Sequence, residues 1–239
     1  MGNVQGTIKE YTLNSRELND QMITLVYTPA TFSPFLDYSV LIVQDVKDYI
    51  QMGKLTRFTD ELIENNEIKN IIIVGTHYKS IEDRRNKYHP QGKENEAFIR
   101  FLAHELVPWI DNEFPTSALG KDRYIMGDSL AGTVAFMTAV KYPNIFGNVI
   151  MHSPYVDDHV LTAAKQHPNP SLLSIYHVVG KDEKVVKISN NRDFLTPNRK
   201  LNAILVEKGF QLFYDEFDGG HSWKYWQPDV KRALQKMFI

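Results

Sequence analysis

A serine stands between a strand pattern and a helix pattern in Gly127-Asp128-Ser129-Leu130-Ala131-Gly132, directly after the apolar run Tyr124-Ile125-Met126. A serine on such a sharp turn projects its hydroxyl above a sheet, and the N–H of the next residue, Leu130, can donate to an oxyanion. Small flanking residues let strand and helix pack closely, although Ala131 replaces the second glycine of G-x-S-x-G. The pattern predicts Ser129 as a nucleophile if partners exist, and an ordinary tight turn if they do not.

A histidine and two acids follow later strand patterns. His221 comes after the last apolar run, in Asp218-Gly219-Gly220-His221, and suits a general base. Asp182 and Glu183 follow the run that ends at Val179. Either carboxylate could accept the second ring N–H of the histidine and stabilise the imidazolium, but only one can do so. The order serine, acid, histidine is the order found in α/β-hydrolases.

These residues need a sheet whose strand ends converge, and the apolar pattern predicts one. Two alternating segments, 7–13 and 21–28, form a hairpin, and near-continuous apolar runs follow at 38–43, 70–74, 124–126, 148–151 and 173–179, with a last strand at 211–217. Amphipathic segments between them predict helices at 55–65, 94–112, 131–141, 199–208 and 229–237. We therefore expect an α/β fold: a mostly parallel sheet with an antiparallel N-terminal hairpin, helices on both faces and no large lid.

Composition limits the class of protein. The 239 residues, 43% hydrophobic and 23% charged, are ordinary for a globular chain, and we expect one domain over residues 1–239. A net charge of −2 provides no field for nucleic acid or an anionic membrane, so neither is an expected partner. The absence of cysteine excludes thiolate metal sites and cysteine nucleophiles.

No cofactor or metal is expected, because H-E-x-x-H, P-loop and G-x-G-x-x-G motifs are absent. The N-terminus lacks the basic and apolar regions of a signal peptide, and no apolar run reaches the roughly 18 residues of a membrane span. We therefore expect a cytoplasmic protein. The sequence leaves the oligomeric state open, a homodimer included.

From about Val40 to Trp226 the chain resembles the esterase family of α/β-hydrolases that includes enterochelin, esterase D-type and feruloyl esterases. The matching motifs are Val43-Gln44-Asp45, Asp83-Arg84-Arg85 to Tyr88-His89-Pro90, Glu105 to Asp111, Tyr142 to Gly147, His152-Ser153-Pro154 and Gly220-His221-Ser222-Trp223-Lys224-Tyr225-Trp226. The resemblance implies Ser129 as nucleophile and His221 as base. It favours Glu183 over Asp182 as the acid, and it places the second oxyanion N–H on Val46 or Lys47, although Val46 stands where the family has glycine.

The resulting hypothesis is a serine esterase that cleaves a small soluble ester or thioester. Trp223, Tyr225 and Trp226 are predicted at the rim of the site, with one of the three expected in the core instead. Arg84 and Arg85 are candidates for an anionic substrate group or, equally, parts of a solvated loop. Two alternatives are a non-catalytic binding protein with this fold, and a GDSL-type hydrolase suggested by Gly127-Asp128-Ser129-Leu130 and Asp218-x-x-His221.

Overall fold

A single eight-stranded sheet organises the chain in the computed structural model, which describes residues 5–239. The strands are β1 (Thr7–Ser15), β2 (Asp20–Thr28), β3 (Ser39–Val43), β4 (Ile71–Thr76), β5 (Arg123–Asp128), β6 (Asn148–His152), β7 (Ser174–Gly180) and β8 (Gln211–Phe217). Their spatial order is β1-β2-β4-β3-β5-β6-β7-β8. β2 pairs antiparallel with β1 and β4, and the strands from β4 to β8 pair in parallel. The predicted mostly parallel sheet with an antiparallel hairpin is confirmed.

The central strands are buried on both faces, which explains their continuous apolar sequence. Leu41 pairs with Ile73 and Ile42 with Val74. Because side chains alternate across a strand, the first pair packs in one hydrophobic cluster and the second pair in the other. Helices cover both clusters. Within residues 5–239, no helix combines the length and apolar character needed to cross a bilayer.

Nine α-helices are found in the described residues, and several differ from the prediction. They are α1 (Val46–Gln51), α2 (Leu55–Glu64), α3 (Ile81–Tyr88), α4 (Asn95–Phe101), α5 (Val107–Glu113), α6 (Ser129–Lys141), α7 (Asp158–Gln166), α8 (Leu195–Lys208) and α9 (Trp223–Met237). The predicted helix 94–112 is α4 and α5 joined by a π-helical turn over Leu102–Leu106. Pro108 follows that turn and has no N–H for the carbonyl of His104. The wider turn instead closes from Val107 N–H to the Leu102 carbonyl.

The apolar pattern did not predict the three short helices α1, α3 and α7, and three predicted helices begin earlier than expected: α6 at Ser129, α8 at Leu195 and α9 at Trp223. α1 is short, and α3 is highly polar and lacks an apolar stripe. Ser80 caps α3 by accepting the N–H of Asp83, and Asp157 caps α7. α9 begins at Trp223 rather than at Asp229, so Pro228 lies inside it. That proline removes only one helical bond, the bond to the carbonyl of the exposed Lys224.

The carboxyl ends of the parallel strands meet at one edge of the sheet. β3 leads into Asp45, β5 into Ser129, β6 into Ser153, β7 into Glu183 and β8 into His221. In open parallel sheets this edge is where ligands bind. The fold therefore gathers at one edge the residues that the sequence singled out for chemistry.

Candidate active site

Ser129 sits on a strained turn between β5 and α6. Its φ of 50° lies in the left-handed region that non-glycine residues avoid, and it is the first residue of the helix. A Cβ on Gly127 would lie 2.3 Å from the backbone carbonyl carbon of Ala131, so only glycine allows strand and helix to come this close. Ala131 itself is fully buried, and its methyl group is accommodated. The sharp strand-to-helix turn predicted around Ser129 is therefore present.

A continuous hydrogen-bonded chain joins Ser129, His221 and Glu183. His221 Nε2 lies 2.9 Å from Ser129 Oγ, and His221 Nδ1 lies 2.7 Å from Glu183 Oε2. The side chain of Glu183 is fully buried, and that of His221 is 4% exposed. A buried carboxylate on Nδ1 fixes the imidazole with its free nitrogen toward the hydroxyl. This arrangement can move a proton from Ser129 Oγ to His221 Nε2.

A second layer of hydrogen bonds orients Glu183. Its Oε1 accepts the Gly180 N–H at 2.8 Å and the Ser153 hydroxyl at 2.6 Å. Ser153 Oγ in turn accepts the indole N–H of Trp226 at 3.0 Å. Ser153 is fully buried and also has a positive φ, 47°. Sequence reasoning gave Ser153 no role, although its place directly after β6, at the same sheet edge as Ser129, was a usable signal.

The structure distinguishes between alternatives that the sequence left open at three positions. Trp226, proposed for substrate contact, is the one of the three aromatic residues that lies in the core, because it is 3% exposed and its ring packs 4.8 Å from that of His221. Asp182 is exposed and contributes its backbone N–H to the Gly219 carbonyl, so it does not contact His221. Asp218, the acid of the GDSL alternative, pairs with Lys181 instead of His221. Glu183 is therefore the carboxylate that meets the imidazole.

Two helix N-termini face the same edge and carry the predicted oxyanion donors. Leu130 is the second residue of α6 and Val46 the first residue of α1, so neither N–H has a partner within its helix. The left-handed residue before α1 is Asp45, with φ 56°. The loop therefore does not require glycine at position 46. The Val46 side chain packs over Gly75, where a Cβ would lie 2.2 Å from Val46 Cβ.

Helix α3 holds the loop before α1 through a buried ion pair. Arg84 Nε lies 2.8 Å and Nη2 2.5 Å from Asp45 Oδ2. Burial alone would lower the pKa of Arg84, but the charge of Asp45 raises it. The expectation that Arg84 is available to a substrate, or solvated, is therefore wrong. Asp45 and Arg84 are 39 residues apart and show no local pattern that could have revealed the pair.

Asp128, the residue before Ser129, is buried, and its Oδ1 has no hydrogen-bond partner. Burial raises the pKa of Asp128 well above its usual range, and the charge of Asp45 raises it further. The positive charge of Arg84 opposes this rise in the pKa of Asp128.

Trp223 and Arg85 remain candidates for contact with a substrate. Trp223 is half-buried, with its ring 4.8 Å from that of Tyr49 in an edge-to-face arrangement. Arg85 is exposed on α3 and belongs to a shallow groove with His89 and Lys93. In the described residues no group of three or more histidine or acidic side chains is arranged to hold a metal ion.

Comparison with known proteins gives consistent matches. A family model described as "Putative esterase" matches residues 15–237. The uncharacterized protein YjcH of Bacillus subtilis is 47% identical over 234 residues, covering 97% of this chain and 98% of that protein. Among solved structures, a ferulic acid esterase superposes with a TM-score of 0.79 at 17% identity, covering 98% of both chains. The enterobactin esterase FES from Shigella flexneri, solved with enterobactin, gives a TM-score of 0.82 at 18% identity, covering 97% of this chain and 58% of that one.

Proposed function

The chain belongs to the "Putative esterase" family, with an α/β-hydrolase fold, and from that premise we propose that it cleaves esters through an acyl-enzyme on Ser129. The observation that carries the proposal is the hydrogen-bonded chain from Ser129 through His221 to Glu183, with distances of 2.9 and 2.7 Å. A serine, an imidazole and a buried carboxylate in this order form the arrangement that activates a serine hydroxyl.

In the acylation step, Ser129 Oγ forms a bond to the ester carbonyl carbon while His221 Nε2 takes the hydroxyl proton. The carbonyl oxygen becomes an oxyanion, for which the N–H groups of Leu130 and Val46 are the proposed donors. Glu183 stabilises the imidazolium through Nδ1. Collapse of the tetrahedral intermediate breaks the bond to the leaving alcohol or thiol, which receives the proton from His221, and leaves an acyl group on Ser129.

Deacylation repeats these roles with water as the nucleophile. His221 removes a proton from the water, whose oxygen bonds to the acyl carbon, and the second tetrahedral intermediate collapses with release of the acid. The proton returns to Ser129 Oγ, so the enzyme is regenerated without a cofactor. Each step uses the same short contacts, Nε2 to Oγ and Nδ1 to Oε2.

The proposed substrate is a small soluble ester or thioester. Among the described residues, the connections at the site edge carry short helices and turns rather than an inserted domain; segment 181–194, for example, holds only one turn of helix, Lys187–Ser189. A lid of the kind that opens on aggregated lipid has no counterpart there. Ferulic acid and enterobactin are the compounds named with the two structural neighbours, and they illustrate the range of substrates to screen.

The test is hydrolysis of 4-nitrophenyl esters of increasing acyl length by the wild type, Ser129→Ala and a control, Ser171→Ala. Ser171 is an exposed serine in a turn away from the sheet edge. We expect Ser129→Ala to lower kcat/KM by about 10⁴-fold or more, with acetyl and other short esters preferred by the wild type. Equal rates for Ser129→Ala and Ser171→Ala would contradict the mechanism.

A further inference from the structure

Tyr155 is a neighbour of the nucleophile. The backbone N–H of Tyr155 donates to the carbonyl oxygen of Ser129 at 3.1 Å, which anchors Tyr155 to the turn. Phe194 links the Tyr155 ring to the base, because its ring centroid lies 4.2 Å from that of His221 and 6.5 Å from that of Tyr155. Tyr155 is half-buried, so part of its surface is open to solvent. A substrate on Ser129 would therefore have Tyr155 as a neighbour.

The guanidinium group of Arg192 lies over the Tyr155 ring. Its Cζ is 4.6 Å from the ring centroid, a cation–π distance. The backbone of Arg192 is held on both sides: its carbonyl accepts the Val186 N–H at 2.9 Å, and its N–H donates to Ser189 at 3.2 Å. The exposed side chain thus extends from a fixed point of the loop after β7. It places N–H donors against the Tyr155 ring.

A second arginine approaches from α3. The His89 ring lies 5.1 Å from the Tyr155 ring, and Arg85 is one helical turn before His89. The His89 N–H donates to the Arg85 carbonyl at 3.1 Å, which places the two residues on the last turn of α3. Burial lowers the pKa of His89, and the positive charges of Arg85 and Arg192 act in the same direction. Two elements distant in sequence place cations around Tyr155.

The two arginines differ from their neighbours in having no acidic partner. Among residues 5–239, neither Arg85 nor Arg192 forms a salt bridge, whereas Arg84 pairs with Asp45. The nearby Asp157 raises the pKa of His89, but its carboxylate is bonded to N–H groups of α7. Asp193 likewise accepts the N–H of Thr196. The guanidinium donors of Arg85 and Arg192 are thus free of carboxylate partners.

We propose that Arg192 and Arg85 form a subsite for an anionic group of the substrate on the Tyr155 side of Ser129. The proposal rests on the proposed esterase function and names its substrate class, an ester that carries a carboxylate or a comparable anion. Arginine donates paired N–H bonds to such oxygens, and these charge-assisted bonds are stronger than neutral ones. Arg85 also lines a shallow surface groove with His89 and Lys93, so it is accessible from solvent.

The experiment compares matched esters that differ by one charge. The first pair, 4-acetoxybenzoate and its methyl ester, carries the anion on the leaving group. The second pair, mono-4-nitrophenyl succinate and its methyl ester, carries it on the acyl group. The quantity measured is the ratio of kcat/KM between the anionic and the neutral member of each pair. Because the ratio cancels changes in the amount of folded enzyme, it isolates recognition of the charge.

We expect Arg85→Gln combined with Arg192→Gln to lower this ratio about tenfold in at least one pair, a loss that high salt reproduces in the wild type. Arg192→Lys should retain part of the ratio. The control is Arg57→Gln, an arginine of α2 that forms no salt bridge within residues 5–239 and lies in a different pocket, with Tyr27 and Asp60. An unchanged ratio in both pairs would overturn the subsite alone. No turnover of any of the four esters by the wild type would overturn the esterase mechanism and the subsite with it.

Discussion

Two histidine–carboxylate pairs lie at the same edge of the sheet, and they differ in the third group that each one meets. His221 bridges Glu183 and the hydroxyl of Ser129. His152 bridges Asp229, at 3.0 Å, and the hydroxyl of Tyr49, at 2.9 Å. The two pairs share an imidazole, a carboxylate and a hydroxyl at similar distances, although the acid and the hydroxyl come from different residue types. A buried imidazole with a carboxylate and a hydroxyl is therefore not sufficient to define a reactive site.

The two pairs differ in solvent access and in the acidity of the hydroxyl group that the histidine contacts. His152 is fully buried, and burial raises the pKa of the Tyr49 hydroxyl well above its ordinary value, with the charge of Asp128 adding to the rise. Tyr49 is thus a fixed donor within the core. Ser129, by contrast, is part-exposed at a helix N-terminus, where an incoming carbonyl can reach it. Under the proposed mechanism, the His221 pair therefore takes part in catalysis, and we propose that the His152 pair stabilises the fold.

The largest expected difference comes from replacing each histidine in the same way. His221→Asn removes the base, so kcat should fall about 10⁴-fold or more while the fold persists. His152→Asn leaves the buried Asp229 and Tyr49 without their partner, so the free energy of unfolding should fall by about 2–4 kcal/mol. Ester hydrolysis and urea denaturation of both variants provide the two readouts. Loss of activity without loss of stability in His152→Asn would contradict a structural role for the His152 pair.

Replacing the acids gives the next largest effect. Glu183→Gln keeps the shape but can no longer stabilise the imidazolium, so kcat should fall about 10³- to 10⁴-fold. The matched change Asp229→Asn should lower stability by about 2–4 kcal/mol, because Asp229 also accepts the hydroxyl of Tyr176 and the Nε of Arg232. Asp182→Asn is the adjacent control and should retain activity. Equal kcat for Glu183→Gln and Asp182→Asn would show that the carboxylate on His221 has no role.

Ser153 links the two pairs, because it follows His152 in the chain while its hydroxyl donates to Glu183 of the other pair. Ser153→Ala removes one donor from Oε1 and leaves the Gly180 N–H in place. We expect a fall in kcat of about tenfold with little change in KM, since the carboxylate is oriented less firmly. Ser153→Thr, which keeps the hydroxyl, should recover part of the rate if the buried turn accepts its methyl group. A change confined to KM or to stability would contradict a positioning role.

The smallest effect concerns pH and the His152 pair. Burial raises the pKa of Asp229, but hydrogen bonds from His152 and Tyr176 and the charge of Arg232 outweigh it and leave the pKa below its ordinary value. A carboxyl with a lowered folded pKa stabilises the fold above its unfolded pKa of about 4, and that contribution is lost as the pH falls below it. The stability difference between wild type and Asp229→Asn should therefore shrink below about pH 4. A difference that grows on acidification would contradict this linkage.

The extent to which the fold and the candidate site could be predicted from the sequence differs from residue to residue. The sheet and the Ser129 turn follow from apolar runs and local spacing, because β5 and α6 are adjacent in the chain. Glu183 and Asp182 could not be separated by residue type, since the choice depends on how the chain leaves β7 at Gly180. Ser153 and the Arg84–Asp45 pair depend on contacts between distant segments. The pairing of His152 with Asp229 could not be predicted for the same reason, because the two residues are 77 positions apart.

The central claim is that Ser129 is the activated hydroxyl of this sheet edge, and one measurement tests it most directly. The protein is treated with a fluorophosphonate at neutral pH, its intact mass is recorded, and the modified peptide is mapped; His221→Asn and His152→Asn are treated in parallel. The account predicts a single adduct on Ser129 in the wild type and in folded His152→Asn, and none in His221→Asn within the same time. No adduct in the wild type, or equal labelling of Ser129 in His221→Asn, would contradict it.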